Sequence, residues 1–265
     1  MALRRTQKQK LYRYTVYVVL IAIVLWVAFT ANWAKLGPLF FNPAVAAKML
    51  PSIVTVALVN TLWFTAVAFA GGLLLGVFLA LLKMSSIGPF RWIATAWIEL
   101  FRGLPAILTI FAIGFIVPIA AGVPGTKLGG PVVLGLVGLI LVASAYMAET
   151  IRAGLQAVPK GQTEAARSLG MSPMKTTFWI VVPQGFRIII PPLTNEFVLL
   201  LKDTSLLFVV GTFIWSKELT TFARDASTQN SNGTPLIMAA ILYLIVTIPL
   251  TRFTAWLERR MARER

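Results

Sequence analysis

Lys202 and Asp203 stand side by side in an otherwise apolar stretch, with Thr204 and Ser205 after them and Asn195 about two helical turns before. Charges at membrane depth are costly, so they are functional candidates by default. An ammonium beside a carboxylate, flanked by hydroxyls and an amide, matches a zwitterionic ligand. The same groups can instead pair with each other and shape a helix break, and residue types alone leave both readings open. Glu149 and Arg152 are three apart, as are Glu99 and Arg102, the spacing of neighbours on one helix face. Pairing within or between helices is the plain role for these, substrate contact the sharper one. Catalysis is poorly provided for. The chain has no His and no Cys, which removes imidazole bases, thiol nucleophiles, disulfides and thiolate zinc sites. No paired-carboxylate motif is present, and no GxxxxGK[ST] stretch exists to cradle phosphates.

Composition says where these residues must work. Of 265 residues, 58% are hydrophobic and only 12% charged, and the mean hydropathy is +0.81. Soluble domains carry about a quarter charged residues. Several uncharged runs reach the ~20 residues that a helix needs to cross a bilayer. The fold class is therefore an all-α, multi-pass membrane protein with no room for a soluble catalytic domain. The net charge of +15 is read as the positive-inside bias, not as nucleic-acid binding.

In chain order, residues 1–13 form a basic tail with Arg4, Arg5, Lys8, Lys10 and Arg13. Tyr14 to Trp33 is an uncharged first span. Lys35 to Lys48 reads as an outer loop. Met49 to Leu82 is an uncharged run longer than one crossing requires, with a helix start expected at Pro51-Ser52 and close packing at Gly72 and Gly76. Trp92 to Gly103 is amphipathic, and Pro105 predicts a kink or restart before Leu104 to Ala121 crosses. Pro131 to Met147 crosses back and continues as a helix to about Val158. Residues 184–216 read as one span broken near Pro191-Pro192, and Pro235 to Leu250 is the last. Six transmembrane helices with both termini cytoplasmic put five basic residues in the N-terminal tail, three from Lys83 to Arg102, five from Arg152 to Arg187 and five from Arg252 on, against five outside.

Between spans four and five lies a polar hairpin. Its first helix, around Gln162 to Leu169, is expected to stop at Gly170, and its second to start with Ser172 as cap and Pro173 in the first turn. Ala165, Ala166 and Leu169 can form an apolar contact surface, Glu164 and Arg167 can pair, and Met171, Phe178 and Trp179 are expected to anchor the hairpin on the spans.

This hairpin resembles the signature of ABC-importer permeases. Glu164, Ala165, Ala166, Gly170, Ile180 and Pro183 fall in register with it, and Val182 replaces the usual Leu. TIRAGLQAVPKGQTEAARSLGMS (150–172), ELFRGLP (99–105) and PQGFRIIIPPLTNEFVLLLKDTSLL (183–207) are similar to the polar amino-acid uptake permeases of the histidine/glutamine type. The resemblance implies a permease domain over 52–258 with a coupling loop at 159–183. Residues 14–51 would be an added span and outer loop, and 259–265 a basic cytoplasmic tail. It implies ATPase coupling through Glu164, Ala165, Ala166, Arg167, Leu169, Gly170 and Pro183. The pathway candidates, Lys202, Asp203, Thr204, Ser205, Asn195 and Glu149, rest instead on their polar or charged side chains at membrane depth. The implied partners are a cytoplasmic ATPase dimer that holds ATP and magnesium, a second permease subunit, an extracytoplasmic solute-binding protein and a polar amino acid. No cofactor is expected in this chain, which would sit in the bacterial cell membrane. The competing reading is a self-contained ion-coupled carrier or channel with Glu149, Glu196 and Asp203 as the relay.

Overall fold

The computed structural model describes residues 5–211 and 214–263, so Arg4 and Arg265 of the two basic tails lie outside the described residues. All regular elements among the described residues are helical. The first is α1 (Arg5–Thr30), whose apolar window Tyr12–Thr30 has no residue buried inside the protein. Nothing in the sequence around it forces it onto the bundle: its apolar residues run right round the helix.

The expected outer loop is instead two helices, α2 (Trp33–Phe40) and α3 (Pro43–Ser52). The side chains of Asn32 and Asn42 supply the caps: Asn32 Oδ1 accepts from Lys35 N, and Asn42 Oδ1 accepts from Ala44 N and Val45 N. The helix start therefore sits at Pro43, not at Pro51. Pro51 is absorbed into a helical run that continues through a π-helical stretch, Ile53–Leu58, into α4 (Val59–Met84).

Next come α5 (Gly88–Gly103), α6 (Ala106–Phe111), a π-helical stretch over Ala112–Ile116, and α7 (Val117–Ala120). The chain bends by 107° between Gly88–Gly103 and Ala106–Ala120. Pro105 lies at that bend, as its missing N–H predicts. A turn with Gly129 and Gly130 at positive φ leads to α8 (Pro131–Gln156).

The centre of the bundle is the pairing of α4 with α8. A Cβ on Gly72 would stand 2.7 Å from Ala143 Cβ, and one on Gly76 would stand 2.9 Å from Met147 Cβ. The two glycines let the backbones close, which is how helices gain packing in lipid. Phe64, Ala68, Ile110, Leu139, Ala143, Met147, Leu200 and Leu207 are buried together around this seam.

After α9 (Lys160–Ser168) and α10 (Pro173–Thr176), a π-helical stretch over Thr177–Val181 leads into α11 (Val182–Asp203). The expected break at Pro191-Pro192 does not occur, and α11 runs through both prolines. The break comes at Thr204, where the chain passes into a 3-10 stretch, Thr204–Val210, and Gly211 at φ 79°. Lost N–H donors at the prolines are tolerated because α11 is held on three sides by α4, α8 and α13. The last elements are α12 (Leu219–Asn230) and α13 (Thr234–Arg263). Among the described residues, four helical runs are long and apolar enough to cross a membrane, and the bent pair makes five.

Candidate functional site

The hairpin forms as its punctuation predicts. Gly170 takes φ 82°, a conformation that costs other residues steric strain. Met171 N donates to Ala166 O at 3.1 Å and Gly170 N to Arg167 O at 3.0 Å, the paired bonds that close a helix with a glycine just beyond it. Arg167 Nη1 donates to Met171 O, so this guanidinium closes its own turn. On the other side, Ser172 Oγ accepts from Lys175 N at 3.4 Å and Pro173 opens α10. Gln184 Nε2 reaches Gln162 Oε1 at 3.4 Å and joins the two arms.

Burial divides the residues differently from the sequence reading. Ala166 and Thr176 are buried between the arms. Ala165 is exposed, and Leu169 is 85% exposed at the tip. Phe178 and Trp179 do not anchor the hairpin, since they are 64% and 74% exposed. Small side chains at 166 and 176 let the arms meet closely, which leaves the aromatics outside. With Met174, they give a polar hairpin an apolar exterior, the mark of a surface made for a partner or a bilayer interface.

The hairpin's base is stiff. A Cβ on Gly185 would lie 2.7 Å from Leu155 Cδ2, and one on Gly154 would overlap Ile189, so the end of α8 and the start of α11 touch through backbone. Lys83 Nζ donates to Glu149 Oε2 at 3.1 Å, and Arg152 Nε donates to the same oxygen at 3.1 Å. Glu149 therefore bridges α4 and α8.

A second feature is a cavity of about 240 Å³ beside α6, α8 and α11, lined by Leu104, Tyr146, Glu196 and Asp203 among others. The Arg102 guanidinium stands 5.5 Å from the centre of the Tyr146 ring. Of the pathway candidates, Asp203 lines this cavity. Lys202 and Asn195 are exposed elsewhere on α11, Thr204 is buried with its hydroxyl donating to Leu201 O at 2.7 Å, and Ser205 and Glu149 are not in the lining. Sequence reasoning had Glu196 only in the competing reading, and it missed Tyr146. The seven-residue spacing of Glu196 and Asp203, two helical turns, was the available signal.

Another missed residue is Glu218, fully buried before α12. Its carboxylate accepts from Thr220 N and Thr221 N at 2.6 Å each and from Tyr243 Oη at 3.3 Å. Burial pushes this carboxyl above the usual glutamate range, against the pull of those hydrogen bonds. A glutamate is an uncommon cap, so in sequence Glu218 reads as a surface charge.

A family model described as binding-protein-dependent transport system inner membrane component matches residues 72–263. The chain belongs to that family. The family match contains the hairpin, the cavity residues and the α4–α8 glycines. The permease is 37% identical over 204 residues to the probable glutamine ABC transporter permease protein GlnM of Bacillus subtilis (strain 168), covering 76% of this chain and 90% of that one. It is 34% identical over 239 residues to the inner membrane amino-acid ABC transporter permease protein YhdY of Escherichia coli (strain K12), covering 88% of this chain but 64% of YhdY's length. Among solved structures, an amino acid ABC transporter with histidines matches at TM-score 0.72 and 34% identity, over 81% of this chain and 96% of that one. The inward-facing MetNI methionine ABC transporter matches at TM-score 0.66 and 18% identity, over 81% of this chain and 98% of that one, a likeness of fold.

Proposed function

We propose that this permease is the membrane subunit of an ATP-driven importer that carries polar amino acids into the cytoplasm. The amino acid and glutamine permeases among its relatives support the substrate class. Six crossings follow if α1, the run Trp33–Met84, the bent pair, α8, α11 and α13 each span once. α11 is less apolar than the other five because the bundle surrounds it. Both termini and the hairpin would then lie in the cytoplasm, and the positive-inside bias of the basic residues supports this. Residues 14–51 add a span and its outer helices to the 52–258 permease unit.

The observation that carries the reading is the exposed apolar exterior of the hairpin between Glu164 and Pro183, mounted on a stiff base. A separate ATPase dimer holding ATP and magnesium would grip it, and Leu169 would be the contact at its tip. Ala165 and Glu164 would flank that contact, while Ala166, Arg167, Gly170 and Pro183 would fix the hairpin's shape. Motion of the ATPases would reach the cavity through α8 and α11 as rigid bodies. A second permease subunit would complete the pathway, and an extracytoplasmic binding protein would deliver the ligand. Within the cavity, Glu196 and Asp203 would receive the substrate's ammonium, and Arg102 at the Tyr146 side its carboxylate.

The test is uptake of labelled glutamine, arginine and histidine into proteoliposomes holding the permease with and without its ATPase and binding protein. ATP-dependent uptake only in the full assembly is expected. Uptake by the chain alone, driven by a proton gradient, would replace this reading with that of an ion-coupled carrier.

A further inference from the structure

α1 is apolar on all sides, and among the described residues none of its window Tyr12–Thr30 is buried by the rest of the bundle. That surface is long and apolar enough to lie in a bilayer. At its start, Gln9, Tyr12, Arg13 and Val16 line one shallow groove. Their spacing, 9, 12, 13 and 16, puts them on a single helix face. Three hydrogen-bonding side chains sit one turn ahead of an aliphatic stripe, the order in which a phospholipid presents its phosphate and its acyl chains. Tyr12 is 73% exposed, an aromatic ring at the depth where headgroups meet hydrocarbon. Five basic residues and no acid occur in residues 1–13.

We propose that the groove formed by Gln9, Tyr12, Arg13 and Val16, with Lys10 beside it, is a binding site for an anionic phospholipid of the cytoplasmic leaflet. Arg13 and Gln9 hold the phosphate, Tyr12 caps the glycerol region, and one acyl chain runs along the stripe that starts at Val16. A zwitterionic lipid carries the same phosphate but adds an ammonium that Lys10 and Arg13 repel. The positive-inside bias alone explains orientation at insertion. It does not explain a headgroup-sized arrangement of donors on one face. The proposal rests on the reading that places the N-terminus in the cytoplasm.

The probe is phosphatidylglycerol, compared with phosphatidylcholine of the same acyl chains, titrated into the purified full-length chain and followed by native mass spectrometry. Wild type should retain phosphatidylglycerol preferentially. Lys10→Gln with Arg13→Gln should weaken that binding roughly tenfold, as expected for two juxtamembrane charges at a partly screened surface. Arg259→Gln with Arg260→Gln removes the same charge at the other end of the chain and should leave it unchanged. Equal binding of the two lipids to wild type, or equal losses in both double variants, overturns the site. Sidedness is read separately by labelling Gln9→Cys, the sole thiol in a chain without cysteine. Labelling from outside the cell overturns the topology while leaving the lipid preference as measured.

Discussion

Lys83 and Glu149 join the last turn of α4 to α8, Nζ to Oε2 at 3.1 Å, two turns before α8 ends at Gln156. Both side chains are about one-fifth exposed, so water screens the pair only partly. With Arg152 on the same carboxylate, it is a polar tie between the helix that leads into the hairpin and the helix at the bundle's centre.

Replacing either partner of this tie should therefore lower uptake without stopping insertion. Lys83→Gln and Glu149→Gln should each cost about 1 kcal/mol in stability, and the double variant should cost clearly less than their sum. Thermal unfolding of the four proteins in detergent measures the coupling. Additive losses would mean that the two groups do not act on each other.

Gly170→Ala isolates backbone strain, because a Cβ there meets nothing within 4 Å. The left-handed conformation alone should cost about 1–2 kcal/mol, and Gly170→Asn should cost less. ATPase co-purification should fall in that order, Gly, then Asn, then Ala.

At Gly72 the cost has a different origin. Gly72→Val brings branched carbons against Ala143, where a single Cβ already stands 2.7 Å away. Overpacking should cost about 1–3 kcal/mol or more and lower the melting temperature. Gly37→Ala, with open space around it, should leave the melt unchanged.

Glu218→Ala should release the start of α12. It removes acceptors from Thr220 N and Thr221 N, a cap loss of about 1–2 kcal/mol. Hydrogen exchange at the first turn of α12 should speed up, with the α4–α8 seam unaffected.

Local chemistry made some elements readable and long-range contacts hid others. The hairpin's stops and starts are set by Gly170, Ser172 and Pro173, whose preferences act within a few residues, and the structure keeps them where they were expected. Pro105 acts locally in the same way. Pro191 and Pro192 carry the same signal, yet α11 runs straight through them because three neighbouring helices hold it. Lys35 to Lys48 looked like a loop from its Gly and Pro content, and two asparagine caps turn it into helices. The Lys83–Glu149 tie, the burial of Glu218 and the cavity that Tyr146 shares with Asp203 bring together residues far apart in sequence. No spacing within one segment encodes them. The exposure of Phe178 and Trp179 depends on how Ala166 and Thr176 bring the arms together, which only the assembled hairpin reveals.

Leu169 at the hairpin tip offers the most direct measurement. The chain contains no cysteine, so Leu169→Cys creates a unique thiol. Bifunctional crosslinking in membranes carrying the ATPase should join residue 169 to the ATPase, and the yield should change when ATP is added. A hairpin that labels from the outer face, or that never crosslinks to the ATPase while the assembly still transports, would contradict the account.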